Sequence, residues 1–159
     1  MSKKMKRRDF MRNSAVAGLA IATTQKDVTG FPMILKQGSV KPLVISSANG
    51  NKFKNGGSIT AVHKAFTMIT EGADVLDAVI AGVNIVELDP LDDSVGYGGL
   101  PNADGIVQLD SCCMHGPKKR AGGVGALEGV RTPSLVAKAV LENTDHHLIV
   151  GKGAQEFAR

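Results

Sequence analysis

Between Pro90 and Asp110 the chain reads Pro-Leu-Asp-Asp-Ser-Val-Gly-Tyr-Gly-Gly-Leu-Pro-Asn-Ala-Asp-Gly-Ile-Val-Gln-Leu-Asp, and this stretch limits what the rest can fold into. Asp92, Asp93 and Ser94 are a polar lead-in to a glycine-rich bend from Val95 to Pro101. Asn102 to Gly105 then forms a turn that feeds a strand over Ile106–Met114. Gly96, Gly98 and Gly99 permit positive φ and close approach to the backbone. That many glycines in one loop serve either a hard bend or a place where another group binds. Tyr97, the only tyrosine, either lines a pocket there or plugs the core.

The flanking segments read as strand and helix. Pro42 to Ser47 is a short β-branched apolar run, the pattern of a buried strand. Ala48 to Gly57 is a polar loop with Asn-Gly and Gly-Gly turn signals. Ser58 opens a helix whose apolar spacing is Ile59, Val62, Phe66 and Ile69, closed by Gly72. Asp74 caps a second helix, with Asp77 in its first turn and Leu76, Val79, Ile80, Val83 and Val86 on one face; Asp89-Pro90 stops it. These two helices should form one layer over a sheet. After the glycine loop and its strand, His115 to Lys119 is a hairpin tip and Arg120 to Val130 the paired strand. Thr132-Pro133 starts a helix with Leu135, Val136, Ala139 and Val140 inward. His147 to Val150 is a short buried strand, and Gly151-Lys152-Gly153 turns into a last helix at Ala154. That helix has run only one turn at Arg159, the pattern of a fold cut short.

The amino terminus has a different character. Residues 1–22 combine six Lys or Arg and one Asp with the apolar run Ala15 to Thr24 and an Ala-x-Ala site at Ala20-Ile21-Ala22. Arg7-Arg8-Asp9-Phe10 resembles the twin-arginine export motif. The expectation is an export signal over 1–22, a linker over 23–41, and a globular region over 42–159 truncated at its C-terminus. Charge follows the same division. The whole chain has 19 basic and 15 acidic residues; the leader takes six and one, leaving 13 and 14, a net charge of −1. A nucleic-acid role based on net charge is excluded, and no apolar run nears the ~20 residues of a membrane span. After signal cleavage the protein is expected outside the cytoplasm, periplasmic or extracellular, and off the membrane.

No complete catalytic set emerges from the residues alone. Asp92 and Asp93 are carboxylates of a kind used in acid–base chemistry, but beside a helix-ending proline they read as a solvated turn. Gly151-Lys152-Gly153 lacks a full phosphate-loop pattern and reads as a tight turn. His63 reads as a boundary residue, and one of His146 and His147 as packed. Adjacent Cys112 and Cys113 are poorly placed for a disulfide; one reads as a small core residue, and with His115 they make too few ligands for a metal. Neither metal nor cofactor is expected.

Ser94-Val-Gly-Tyr-Gly-Gly-Leu-Pro101, followed by Asp104-Gly105 and Val107-Gln-Leu-Asp110, resembles the signature of the glycosylasparaginase branch of the N-terminal-nucleophile hydrolases. Pro42-Leu-Val-Ile-Ser46, Asp77-Ala-Val79, Pro133-Ser-Leu-Val-Ala137 and His147-Leu-Ile-Val-Gly151 match in the same order. The resemblance implies an α+β fold, a portion of a four-layer αββα sandwich. It implies a precursor that cleaves itself before a threonine, whose hydroxyl is the nucleophile and whose own α-amino group is the base. The substrate would be a side-chain amide of asparagine, with glycoasparagine typical. Ser94 would sit beside the nucleophile, Asp110 would be structural, and Asn49, Gly98 and Gly99 would wall the substrate site. The implied partners are a C-terminal β subunit carrying the nucleophile and a second αβ unit in a homodimer.

Two features depart from that pattern. Ala48 occupies the place of a customary tryptophan, and the chain has none. This keeps the isoaspartyl-peptidase/asparaginase branch open. Thr132 and Thr144 do not sit where the nucleophile belongs, so the chain alone is expected to be inactive. A non-catalytic exported binding protein, or a degenerate relative, is the reading of another class.

Overall fold

The computed structural model describes residues 41–159. The expected leader and nearly all of the expected linker lie outside these residues. The described part is a mixed α/β arrangement. In order it has a helical turn α1 (Asn49–Lys52), α2 (Ala61–Thr70), α3 (Val75–Glu87), a 3-10 turn (Gly96–Gly98), β1 (Leu109–His115), β2 (Arg120–Leu127), α4 (Pro133–Asn143), β3 (Ile149–Val150) and α5 (Gly151–Phe157).

The sheet is small, in the order β1-β2-β3. β1 and β2 form the expected hairpin, in register from His115 opposite Arg120 to Ser111 opposite Val124. A bulge then brings Leu109 opposite Leu127. At the bulge Ala126 has φ 48°, and its amide donates to Asp110 Oδ1 at 2.7 Å. Asp110 thus supplies the acceptor that the interrupted ladder does not. β3 pairs parallel to β2, reached through the α4 crossover.

One face of the sheet is covered. Val124 and Leu127 pack with Val136, Ala137 and Val140 of α4 and Ala154 of α5, with Ile149 and Phe157 at the margin. Leu141 joins α4 to Leu76 and Ile80 of α3, and Cys113 touches both groups. Burial pushes the Cys113 thiol pKa up, so it behaves as the small core residue expected, while Cys112 is exposed. The buried stripe of α4 is Val136, Ala137, Val140 and Leu141, whereas Leu135, expected inward, is 46% exposed.

The helical hairpin obeys its sequence signals at the joint and departs from them on its faces. Asp74 Oδ1 caps α3 by accepting from Leu76 N and Asp77 N. Gly72 at φ 90° closes α2, with Gly72 N bonded to Ile69 O and Ala73 N to Met68 O, the paired bonds of a glycine C-terminus. The N-cap of α2 is Thr60, not Ser58, and Ile59 precedes the helix. The buried face of α2 is Ala61 and Ala65, while Phe66 is exposed. The reason lies across the interface: a Cβ at Gly82 of α3 would stand 2.5 Å from Ala61 O. The helices meet through small residues at close range, which turns the larger side chains outward. Val79 and Val83 on α3 are likewise partly exposed. The expected single helical layer over the sheet is corrected too: α3 touches β1 and α4, and α2 packs against α3 and α1.

Two further expectations fail. Residues 41–47 form no strand, and Leu43 and Ile45 are 76% and 83% exposed. A strand needs a neighbour to satisfy its backbone, and no described strand flanks this segment. His146 and His147 are both exposed, and β3 shrinks to two residues with Leu148 and Val150 outward.

Candidate functional site

The site grows from the end of α3. There the chain places three buried carboxylates within six residues: Glu87, Asp89 and Asp92 are each 3% exposed or less. Burial of an anion is costly unless its oxygens are filled by donors. Asp89 Oδ2 accepts from Lys54 N at 3.1 Å and Asn55 N at 2.6 Å, and its Oδ1 from Leu91 N at 3.0 Å. The polar loop after α1 therefore hangs on the base of the glycine loop. The Leu91 amide, opposed by burial and helped by the Asn55 and Lys54 amides, holds the Asp89 carboxyl pKa low.

Asp92 does the same for the loop itself. Its Oδ1 accepts from Ser94 N at 2.8 Å, Ser94 Oγ at 2.6 Å and Val95 N at 3.0 Å. Burial pushes this carboxyl up, but the Ser94 hydroxyl and the Ser94 and Val95 amides outweigh it, and the net shift is downward. The expectation of a solvated Asp92 is overturned; Asp93 alone faces solvent. The reason is local. An aspartate two residues before a serine can fold back onto that serine's amide and hydroxyl, and the loop closes over it.

Ser94 Oγ also receives Asn49 Nδ2 at 3.3 Å, while Asn49 Oδ1 accepts from Ser47 Oγ. Two of the expected site residues, 45 positions apart, thus meet. The turn α1 presents Asn49, and the loop after α3 presents Ser94. The glycines fix the loop against its own base. A Cβ on Gly96 would collide with the Glu87 backbone, and one on Gly98 with Asp92 O. Gly99 would meet Leu109 Cδ2 at 2.8 Å. Gly99 lines the cleft below with Ser94, whereas Gly98 turns toward the Asp92 backbone.

That cleft has a volume of about 510 Å³. Among the described residues its titratable lining is Glu87, Asp93 and Asp110, all acidic, with no Lys, Arg or His. Glu87 was not legible as a site residue. Its Oε1 accepts from Ser134 N at 3.0 Å, and its Oε2 from Ser134 Oγ at 2.7 Å and Asn84 Nδ2 at 2.7 Å. It caps α4 from α3, and the expected N-cap Thr132 makes no side-chain cap bond. A carboxylate in the last turn of α3 opposes that helix's dipole, and its position is repaid by the positive end of α4. An acid at the wrong helix end is the sequence signal that would have found it.

The remaining candidates stand apart. Tyr97 is 52% exposed, with the Arg131 guanidinium 4.5 Å from its ring centroid, and lines a hollow of about 230 Å³ instead of filling the core. His115 is buried at the hairpin tip: Nε2 lies 2.7 Å from Asp74 Oδ2, and Nδ1 accepts from Lys118 N at 3.0 Å. Nδ1 as acceptor makes Nε2–H the donor to Asp74, which stitches β1 to the α3 cap. The His115 hydrogen bond, against the effect of burial, lowers the Asp74 carboxyl pKa. Among the described residues no group of His, Cys, Asp and Glu converges to hold a metal. Gly151-Lys152-Gly153, expected as a tight turn before the helix, is instead the first turn of α5, with Lys152 exposed beside Glu156.

Sequence comparison assigns this arrangement to a class. The asparaginase family profile matches residues 32–159. The N(4)-(beta-N-acetylglucosaminyl)-L-asparaginase of Elizabethkingia miricola is 38% identical over 153 residues, 96% of this chain and 43% of the relative. The mouse protein of the same name is 37% identical over 131 residues, covering 82% and 35%. A rat isoaspartyl peptidase/L-asparaginase is 34% identical over 102 residues, covering 64% and 30%. The chain belongs to the asparaginase family of N-terminal-nucleophile hydrolases. It spans less than half the length of these relatives.

Proposed function

We propose that the protein is an exported amidohydrolase of the glycosylasparaginase type, in which residues 42–159 form the N-terminal part of an αββα sandwich. The observation that carries this reading is the Ser94 hydroxyl. It is fixed between buried Asp92 and Asn49 at the mouth of an acidic cleft, in a chain of this family. The carboxylate that holds the Ser94 proton, Asp92, has its pKa lowered and is therefore a weak base, and among the described residues that line the cleft there is no histidine or lysine to activate Ser94 as a nucleophile. The hydroxyl suits a supporting role. Gly99, which lines the cleft, and Asn49, bonded to Ser94 at its edge, are proposed as walls of the substrate site, while Gly98, expected as a third wall, packs on the Asp92 backbone and serves the loop's closure.

The nucleophile is proposed to come from a C-terminal segment, as a threonine exposed by self-cleavage. Its hydroxyl proton passes to its own α-amine while Oγ attacks the amide carbon. The C–N bond breaks as the leaving nitrogen takes that proton, and water then hydrolyses the ester to free the aspartyl product and restore the hydroxyl. Ser94 hydrogen-bonds the threonine. The open face of the sheet, with Met114, Leu148 and Val150 exposed, and the unpaired run Pro42–Ser47 support a second sheet contributed by that segment. Two such αβ units would form a dimer.

The test is expression of the reading frame to its end. Two bands after self-cleavage, with release of aspartate from N4-(β-N-acetylglucosaminyl)-asparagine, are expected; residues 23–159 alone should be inactive. Hydrolysis by that shorter chain would overturn the reading, and so would an intact single band without turnover, which would favour a non-catalytic binding protein. A second reading, the isoaspartyl-peptidase/asparaginase type, draws on Ala48 beside Asn49. Faster turnover of a β-aspartyl dipeptide than of glycoasparagine would select it. Loss of residues 1–22 from the exported product, read by N-terminal sequencing, tests the leader.

A further inference from the structure

We infer that Asp92 is a positioning residue: it holds the Ser94 hydroxyl as a hydrogen-bond acceptor toward the cleft and gives that position a negative potential suited to an ammonium group. The inference rests on the reading above, in which the group beside Ser94 is the α-amine of an N-terminal threonine.

A serine hydroxyl has one proton and two lone pairs. Ser94 donates its proton to Asp92 Oδ1 at 2.6 Å, a short charge-assisted bond, and Asn49 Nδ2 at 3.3 Å takes one lone pair. The lone pair left over can only accept. A hydroxyl locked in this way cannot donate to a neutral amine's lone pair, so the amine keeps that lone pair for the threonine proton. It can accept from the amine's N–H before transfer and from the ammonium after it. The Ser94 polarity therefore favours the amine in the role of base.

The surroundings reinforce this. Asp92 is 2% exposed, and none of the described residues forms an ion pair with it. Its neighbour Asp89 is also buried and is neutralised only by backbone amides. From α3 the cleft receives Glu87, from the loop Asp93, and from β1 Asp110. Among the described residues, every element that brings a titratable group to the cleft brings an acid. This negative charge stabilises an ammonium over an amine and raises the amine's proton affinity.

The geometry also provides a clean test. One oxygen, Oδ1, accepts all three bonds from Ser94 and Val95. Asp92→Asn can keep them through its carbonyl oxygen and remove only the charge, whereas Asp92→Ala removes both charge and acceptor. The enzyme is the full self-cleaved product, and kcat/KM is followed against pH. In wild type the acidic limb reports protonation of the α-amine. Asp92→Asn should move that limb to lower pH by about half a unit to one unit. Asp92→Ala should lower kcat on the order of ten- to a hundredfold, and it should give no further loss in combination with Ser94→Ala. Should Asp92→Asn stop self-cleavage, the halves are expressed from separate frames with the threonine already exposed, and the same profile is read. An unmoved acidic limb in an active Asp92→Asn enzyme overturns the inference and leaves the proposed function standing. An inactive, uncleaved wild type overturns both.

Discussion

The two faces of the three-stranded sheet are built from similar residues and end in opposite situations. Toward α4, Val124, Leu127, Val136 and Val140 are each 8% exposed or less. On the other side Met114, Leu148 and Val150 stand 76%, 61% and 57% exposed, with Cys112 among them. The polar groups do not share this imbalance, since among the described residues no buried side-chain polar atom lacks a partner. The buried polar side chains of the described residues are thus satisfied, while the apolar contacts of the sheet are incomplete. Loops and caps within the described residues supply the partners of these polar groups, whereas a sheet face can be covered only by a further layer.

This contrast can be broken by mutation. The largest effects belong to the covered face. Leu127→Ala and Leu141→Ala, each removing a fully buried side chain, should cost about 2–5 kcal/mol in denaturant unfolding. Met114→Lys should change the stability of the chain by itself by no more than about 0.5 kcal/mol. In the full-length product the same substitution should block folding or association, because a charge would be buried unpaired. Equal, small effects in both contexts would mean that the face stays open.

Next in size is the carboxylate base of the site. Glu87→Ala strips the cap from α4 and leaves the Ser134 amide and hydroxyl without their acceptor, although Asn84 Nδ2 keeps its bond to Ser134 Oγ at 2.9 Å, and should cost about 1–3 kcal/mol by chemical denaturation. The acid limb of stability should follow from Asp74, Asp89 and Asp92, whose folded pKa values are all lowered. Their contribution is complete above the unfolded carboxylate value, about 3.9, and is lost as pH falls through the lower folded values. Thermal melts across this range should show Asp92→Asn with a shallower acid dependence than the parent. Smallest is the rim pair of Lys138 with Asp77, 2.5 Å apart and partly exposed. Asp77→Asn should cost less than about 1 kcal/mol, and less again in high salt.

How far the sequence reached follows the same line between local and distant causes. The Asp74 cap, the Gly72 terminus, the hairpin tip and Pro133 at the start of α4 were legible because each depends on a few adjacent residues. Ser94 and Asn49 were singled out through the resemblance, and their contact ties two stretches that no local signal connects. Three things were not readable. Glu87 and Asp92 look like surface acids until the partners that fill their oxygens are known. The contact of Ala61 and Ala65 with Gly82 was hidden because apolar spacing draws attention to large side chains, and here small ones make the interface. The Pro42–Ser47 run has strand composition, but strand pairing is decided by a neighbour, not by the run itself.

The central claim is that Ser94 forms one wall of a site whose nucleophile is an N-terminal threonine. Intact mass and N-terminal sequencing of the purified full-length product test it most directly. The account predicts two fragments, the second beginning with threonine, and loss of amide hydrolysis when that threonine is changed to alanine. A single uncleaved chain that hydrolyses asparagine amides would contradict it.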